Sequence, residues 1–224
     1  MNIAAQWCGL VLAIIIALLY IKQRTFTLRT NIAFLFVLLS TIGCISLDIL
    51  SSLSVWYENA FPEWLDVFIY NSFWASMIIV AFFSANYVCL DVYDVGTARY
   101  SIVNKVLVIF TLLGVIAVFA SPVSSVVDRE LGIAYTKGAT VTISYTFFLT
   151  IMLYTCCLML FRRSDMNKRR WKVTMMWMGL WLFSLIVRIW NADMFLIDFC
   201  AAVGLVFIYI RMENPDLYKQ LTQK

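Results

Sequence analysis

Three ionisable side chains, Asp48, Arg188 and Asp198, stand inside otherwise apolar stretches of this chain. Placing such a group at bilayer depth costs about 2.5–3.5 kcal/mol or more, so each should face protein or water and take a partner. Two carboxylates and one guanidinium can form an ion pair with one anion to spare. That set can lock helices together, or it can recognise a small charged ligand. Arg188 is expected within about 4 Å of Asp48 or Asp198, because a lone buried cation is too costly.

Helical spacing supplies neighbours for all three. Trp177, Trp181, Ser184 and Arg188 recur on one helical face. Ser40, Cys44, Asp48 and Ser51 do the same, as do Asp198, Ala202, Leu205 and Tyr209. Tyr70, Asn71 and Trp74 join from a third stretch, Ser144 and Tyr145 from a fifth. The predicted product is an aromatic-rimmed, ligand-binding pocket lined by Asp48, Asn71, Trp74, Tyr145, Trp181, Arg188 and Asp198. All but Trp181 lie near the same end of their stretches. Leu112, Met152, Met159, Met175 and Met176 are expected to pack and close the other half.

Catalysis finds little support. There is no histidine, and the six cysteines, Cys8, Cys44, Cys89, Cys156, Cys157 and Cys200, fall in apolar stretches without a CxxC pair. A zinc site or a histidine-based centre is not expected. Asp48 and Asp198 could serve as paired aspartates, but neither has a flanking motif. No lysine lies between Met194 and Arg211 to hold retinal. Asn214-Pro215-Asp216-Leu217-Tyr218 fits the NPxxY pattern of G-protein-coupled receptors but falls beyond Arg211, and Asp91-Val92-Tyr93 lacks the arginine of their Asp/Glu-Arg-Tyr motif. The expectation is no enzymatic activity, no cofactor, no metal and no nucleic-acid partner.

The elements that position these residues follow from composition. The 224 residues are 63% hydrophobic and 13% charged, with a mean hydropathy of +0.87. Soluble domains carry about 25% charged residues. Seven apolar stretches occur, at 3–21, 31–54, 66–90, 104–120, 140–161, 173–190 and 194–211, each near the ~20 residues needed to cross a bilayer. Cations divide the links between them into two kinds. Lys22, Arg24, Arg29, Arg99, Lys105, the Arg162–Lys172 cluster, Arg211, Lys219 and Lys224 all fall on one side. The positive-inside rule makes that side cytoplasmic, with the N-terminus outside and the C-terminus inside. The Arg162–Lys172 cluster reads as a topology determinant that also meets anionic lipid. No basic side chain precedes the first apolar run, so it does not read as a cleaved signal peptide.

Pro62, Pro122 and Pro215 lie at or beyond stretch ends, which predicts unbroken helices and argues against transporters built on discontinuous ones. Trp56, Tyr57 and Trp64 suit an interfacial belt. Val123–Val127 and Ile133–Thr136 flank a Gly-containing turn, a signature of a small β-hairpin in the 121–139 loop. The predicted fold is an all-α, integral membrane seven-helix bundle over residues 1–211, with a cytoplasmic exit segment at 212–224, in a multi-pass cell-membrane protein.

Asn31-Ile-Ala-Phe at the second stretch, Gly132, Tyr135 and Gly138 before the fifth with Tyr145 inside it, and the closing Phe207-Ile-Tyr-Ile-Arg-Met-Glu-Asn-Pro-Asp carry a resemblance. The chain resembles the N-terminal seven-transmembrane sensor module of bacterial histidine kinases and diguanylate cyclases. The resemblance implies a coiled linker after the exit and a cytoplasmic output domain, GGDEF or kinase; these residues hold no motif of either. The expected function is a membrane sensory receptor module for signal transduction. It would bind a small extracellular or membrane-borne ligand and signal through its seventh helix, with a homodimer as the expected assembly. One alternative is a small transporter or channel, for which Ser84, Asn86, Thr155 and Thr174 are the sparse inner-half candidates. Another is a structural membrane scaffold.

Overall fold

The computed structural model describes residues 3–23, 29–57, 61–93, 97–128, 133–164, 166–190 and 197–213, with the side chains of 23, 128, 133–134 and 188–190 outside the description. Seven helices run in chain order: α1 Ala4–Gln23, α2 Arg29–Trp56, α3 Glu63–Val92, α4 Ala98–Ala120, α5 Ala139–Phe161, α6 Lys168–Trp190 and α7 Ile197–Ile208. α7 continues as a π-helical turn, Tyr209–Glu213. Each helix matches an apolar stretch of the sequence. Among the described residues, α1 to α5 are long and apolar enough to cross a membrane, as a multi-pass membrane protein requires. α6 is the least apolar and opens on Lys168, Arg169, Arg170 and Lys172. α7 and its π-helical continuation cover Ile197–Glu213 among the described residues.

Local chemistry sets the helix ends. Pro62 adopts extended backbone (φ −61°, ψ 143°) and starts α3, whose first turn holds Glu63 and Asp66 against the positive end of the helix dipole. The Thr97 hydroxyl accepts from the Tyr100 amide at 3.3 Å, capping α4. Between α4 and α5 lies the hairpin: β1 Val123–Asp128 pairs antiparallel with β2 Ile133–Gly138, in the register Val123↔Gly138 to Asp128↔Ile133. Gly138 joins β2 directly to α5 with φ +131°, and a Cβ there would lie 2.7 Å from the Pro122 carbonyl oxygen. Only glycine meets both demands. Thr140 Oγ1 then donates to the Ser121 carbonyl at 3.0 Å, tying the end of α4 to the start of α5.

α3 is the central helix, packed against α2, α4 and α5, while α1 lies against α2 and α7, and α6 against α5 and α7. Trp74, Phe73, Phe148, Met152, Trp177, Trp181 and Leu205 fill the core. Gly204 lets α6 and α7 approach closely, since a Cβ there would sit 2.3 Å from Trp177 Cδ1. α4 is peripheral. Leu107, Thr111, Gly114 and Val118 face inward, and Ile102, Val106, Ile109, Leu112, Leu113 and Ile116 face out. In water so large an apolar face would be an association patch; against lipid tails it is a normal exterior.

Candidate functional site

The hairpin brings a pocket together. Trp74, buried on α3, donates Nε1–H to Thr136 Oγ1 of β2 at 2.8 Å, and its carbonyl accepts from Ser144 Oγ of α5 at 2.7 Å. Tyr145 stands edge-on to the Trp74 indole, with ring centroids 5.1 Å apart. Around this corner lies a cavity of about 430 Å³ lined by Trp74, Tyr135, Thr136, Lys137, Gly138, Val141, Thr142, Tyr145, Thr146 and Leu149. Aromatic walls, several hydroxyls and one ammonium suit a small amphiphilic molecule with an acidic group. Two of the residues expected from sequence, Trp74 and Tyr145, line this cavity.

Asp48, Asn71, Trp181 and Asp198, expected in the same pocket, do not line it. Asp48 is 1% exposed and accepts from Gln6 Nε2 at 2.6 Å; the same amide lies 3.4 Å from Ser52 Oγ. Gln6 Oε1 has no hydrogen-bond partner among the described residues. Asp198 is buried in the first turn of α7, where the helix dipole favours a carboxylate. Its backbone oxygen would lie 3.0 Å from a Cβ on Gly9. Gln6 and Gly9 are one turn apart, so the start of α1 meets both α2 and α7. Asn71 and Trp181 are buried, Trp181 against Phe148 at 5.4 Å, and Asn71 Oδ1 and Trp181 Nε1 have no hydrogen-bond partner among the described residues. Arg188 belongs to α6, but its side chain, and with it the expected ion pair, lies outside the described residues. Gln6 was missed by sequence reasoning. Its signal was a polar side chain in the first turn of an apolar stretch.

Below this region apolar side chains fill the bundle: Met77, Ile78, Met152, Met159, Trp177, Met178 and Leu205 are all buried. Two residues expected in that layer are not there. Leu112 is 55% exposed and Met176 is 41% exposed. Leu112 lies on the face of α4 turned away from its neighbours, and Met176 follows a partly buried Met175 around the outer side of α6. Of the polar candidates for a passage, Ser84 Oγ is buried with no hydrogen-bond partner among the described residues, and the other three are bound. Thr155 Oγ1 donates to the Ile151 carbonyl at 2.8 Å, Thr174 Oγ1 lies 3.7 Å from Met212 Sδ, and Asn86 Oδ1 accepts from Tyr100 at 3.1 Å.

At the far end is a cluster that sequence reasoning did not find. Glu213, the last residue of the π turn, is 3% exposed. Tyr87 of α3 donates to its Oε1 at 2.8 Å, and the Tyr20 hydroxyl of α1 lies 3.4 Å from its Oε2. Tyr20 also donates to the Asn31 carbonyl of α2 at 3.0 Å. Phe34 packs edge-on to Tyr20 and tilted against Tyr87, at 5.0 and 5.6 Å. Nearby, Asp91 at the end of α3 forms a short ion pair with Arg170 at the start of α6. The Asp91 side chain is 5% exposed, so the pair ties the end of α3 to the start of α6 from inside the protein. Cations of the Arg162–Lys172 cluster also rest on rings: Arg163 over Trp171 at 4.7 Å and Arg162 over Tyr93 at 5.9 Å. Nothing in the spacing of Tyr20, Tyr87 and Glu213 announces their meeting.

The chain matches no protein-family model and no curated protein.

Proposed function

We propose that the chain is a membrane sensory module that crosses the bilayer seven times, with the hairpin outside and the exit segment in the cytoplasm. It binds a small amphiphilic ligand beneath the hairpin and passes the event to the exit helix. The observation that carries this reading is the placement of Trp74 and Tyr87 on one helix. Trp74 floors the cavity, and Tyr87 holds the carboxylate of the exit turn. They are 13 residues apart on α3, about 20 Å along an uninterrupted helix. A shift of α3 on binding would therefore act directly on Glu213. An output domain beyond the exit turn would receive the motion, as in the sensor modules the chain resembles.

The transporter alternative needs access from both sides in turn, so one closed side fits it as well as it fits a sensor, and flux separates the two. The test is a thermal-shift screen of the purified protein against small amphiphilic acids, repeated on Trp74→Ala and Lys137→Gln. A ligand that raises the melting temperature of the wild type and not of these variants supports the reading. Counter-transport of such a ligand by proteoliposomes would replace it with the transporter. If no acid in the panel binds, the scaffold reading stands.

A further inference from the structure

A second groove lies on the flank of the molecule at the exit end, away from the hairpin. Its volume is about 230 Å³, and its lining includes Arg29, Ile32, Phe36, Phe83, Asn86 and Tyr100. Its polarity is graded along the helix axis. Arg29 is exposed at the first residue of α2, and Tyr100, in the first turn of α4, donates to Asn86 Oδ1 at 3.1 Å. Phe36 lies seven residues further along α2, about 10 Å deeper. There it stacks on Phe83, with centroids 5.3 Å apart and planes at 10°. Ile32 and Phe36 are 38% and 47% exposed, so the groove opens sideways from the bundle.

A cation and two polar side chains at the level of the helix ends, above a stacked-aromatic slot, match one chemistry. The guanidinium suits a phosphate, and the slot suits an acyl chain. A soluble anion would leave the slot unused, and a lipid without net charge would gain little from Arg29. Charge around the mouth agrees. Arg99, also exposed, precedes Tyr100 on the same turn, and Asp91, next after Leu90, is neutralised by Arg170. We propose that this groove binds one anionic phospholipid of the leaflet at the exit end, its phosphate on Arg29 and a chain along Phe36 and Phe83. The proposal rests on the membrane-spanning reading and is independent of the hairpin-end ligand.

The test reconstitutes the full chain in vesicles of phosphatidylcholine with phosphatidylglycerol as the minority lipid, extracts it mildly, and counts retained lipids by native mass spectrometry. One phosphatidylglycerol should be retained in excess over its share of the bilayer. Arg29→Gln should lower that occupancy about fivefold. Ile32→Trp, which keeps the charge but narrows the slot, should lower it as well, with the melting temperature of both variants unchanged. Excess glycerol phosphate should not displace the lipid. Equal retention by wild type and Arg29→Gln, or equal retention of phosphatidylcholine, overturns the site. Displacement by glycerol phosphate makes it a soluble-anion site. Failure of the chain to insert into vesicles overturns the membrane reading itself, before any lipid is counted.

Discussion

Tyr87 on α3 donates its phenol to Oε1 of Glu213 at 2.8 Å, joining two residues 126 positions apart. The bond fixes the exit turn to the central helix, and Tyr20 completes the clasp from α1. A buried carboxylate on a π-helical turn is held by groups it cannot replace with water. π-helical turns are frequent at functional sites.

Removing one donor should therefore be costly. Tyr87→Phe should destabilise the protein by about 1–3 kcal/mol, because Glu213 loses a hydrogen bond while staying buried. Combining Tyr87→Phe with Glu213→Leu should cost less than the sum of the two single changes. Denaturant melts in detergent, arranged as a double-mutant cycle, read this out; strict additivity would show that the two groups do not interact.

The Gln6–Asp48 pair makes the same argument at the hairpin end. Gln6→Leu should cost about 2 kcal/mol or more, since it leaves the Asp48 carboxylate buried without its amide donor. Adding Asp48→Leu should restore part of that loss. A double variant weaker than Gln6→Leu alone would mean that Asp48 does more than answer Gln6, as a ligand contact would.

Close packing of α6 on α7 gives a steric prediction. Gly204→Ala would place a methyl 2.3 Å from Trp177 Cδ1, an overlap that should cost about 1–3 kcal/mol. Trp177→Leu should relieve it, so that the Gly204→Ala penalty shrinks in that background. A penalty of the same size in both backgrounds would locate the strain elsewhere.

Topology can be read by labelling. With the native cysteines replaced, Ser125→Cys in β1 and Asn167→Cys before α6 should react with an impermeant reagent from opposite sides of sealed membranes, Ser125 from outside. Labelling of both from one side would reject the seven-pass arrangement.

Much of the fold was legible in the sequence because its signals are local. Apolar run length, the prolines at run ends and the two β-prone runs Val123–Val127 and Ile133–Thr136 set the helices and the hairpin. The faces carrying Cys44 and Asp48, Trp177 and Trp181, and Asp198 and Leu205 were legible too, because a polar or bulky aromatic side chain recurring at helical period has to turn inward. Purely apolar positions carried no such information. Lipid tails are as apolar as a protein core, so hydrophobicity cannot say that Leu112 and Met176 face out while Met152 and Met159 face in. Only the arrangement of neighbouring helices decided that. It also decided the long-range partners. Gln6 meets Asp48, and Tyr20 and Tyr87 meet Glu213, because α1 packs beside α2 and α7, and α3 runs through the centre. Those bonds depend on which helices are adjacent in space, a property that the spacing of residues along one chain does not encode.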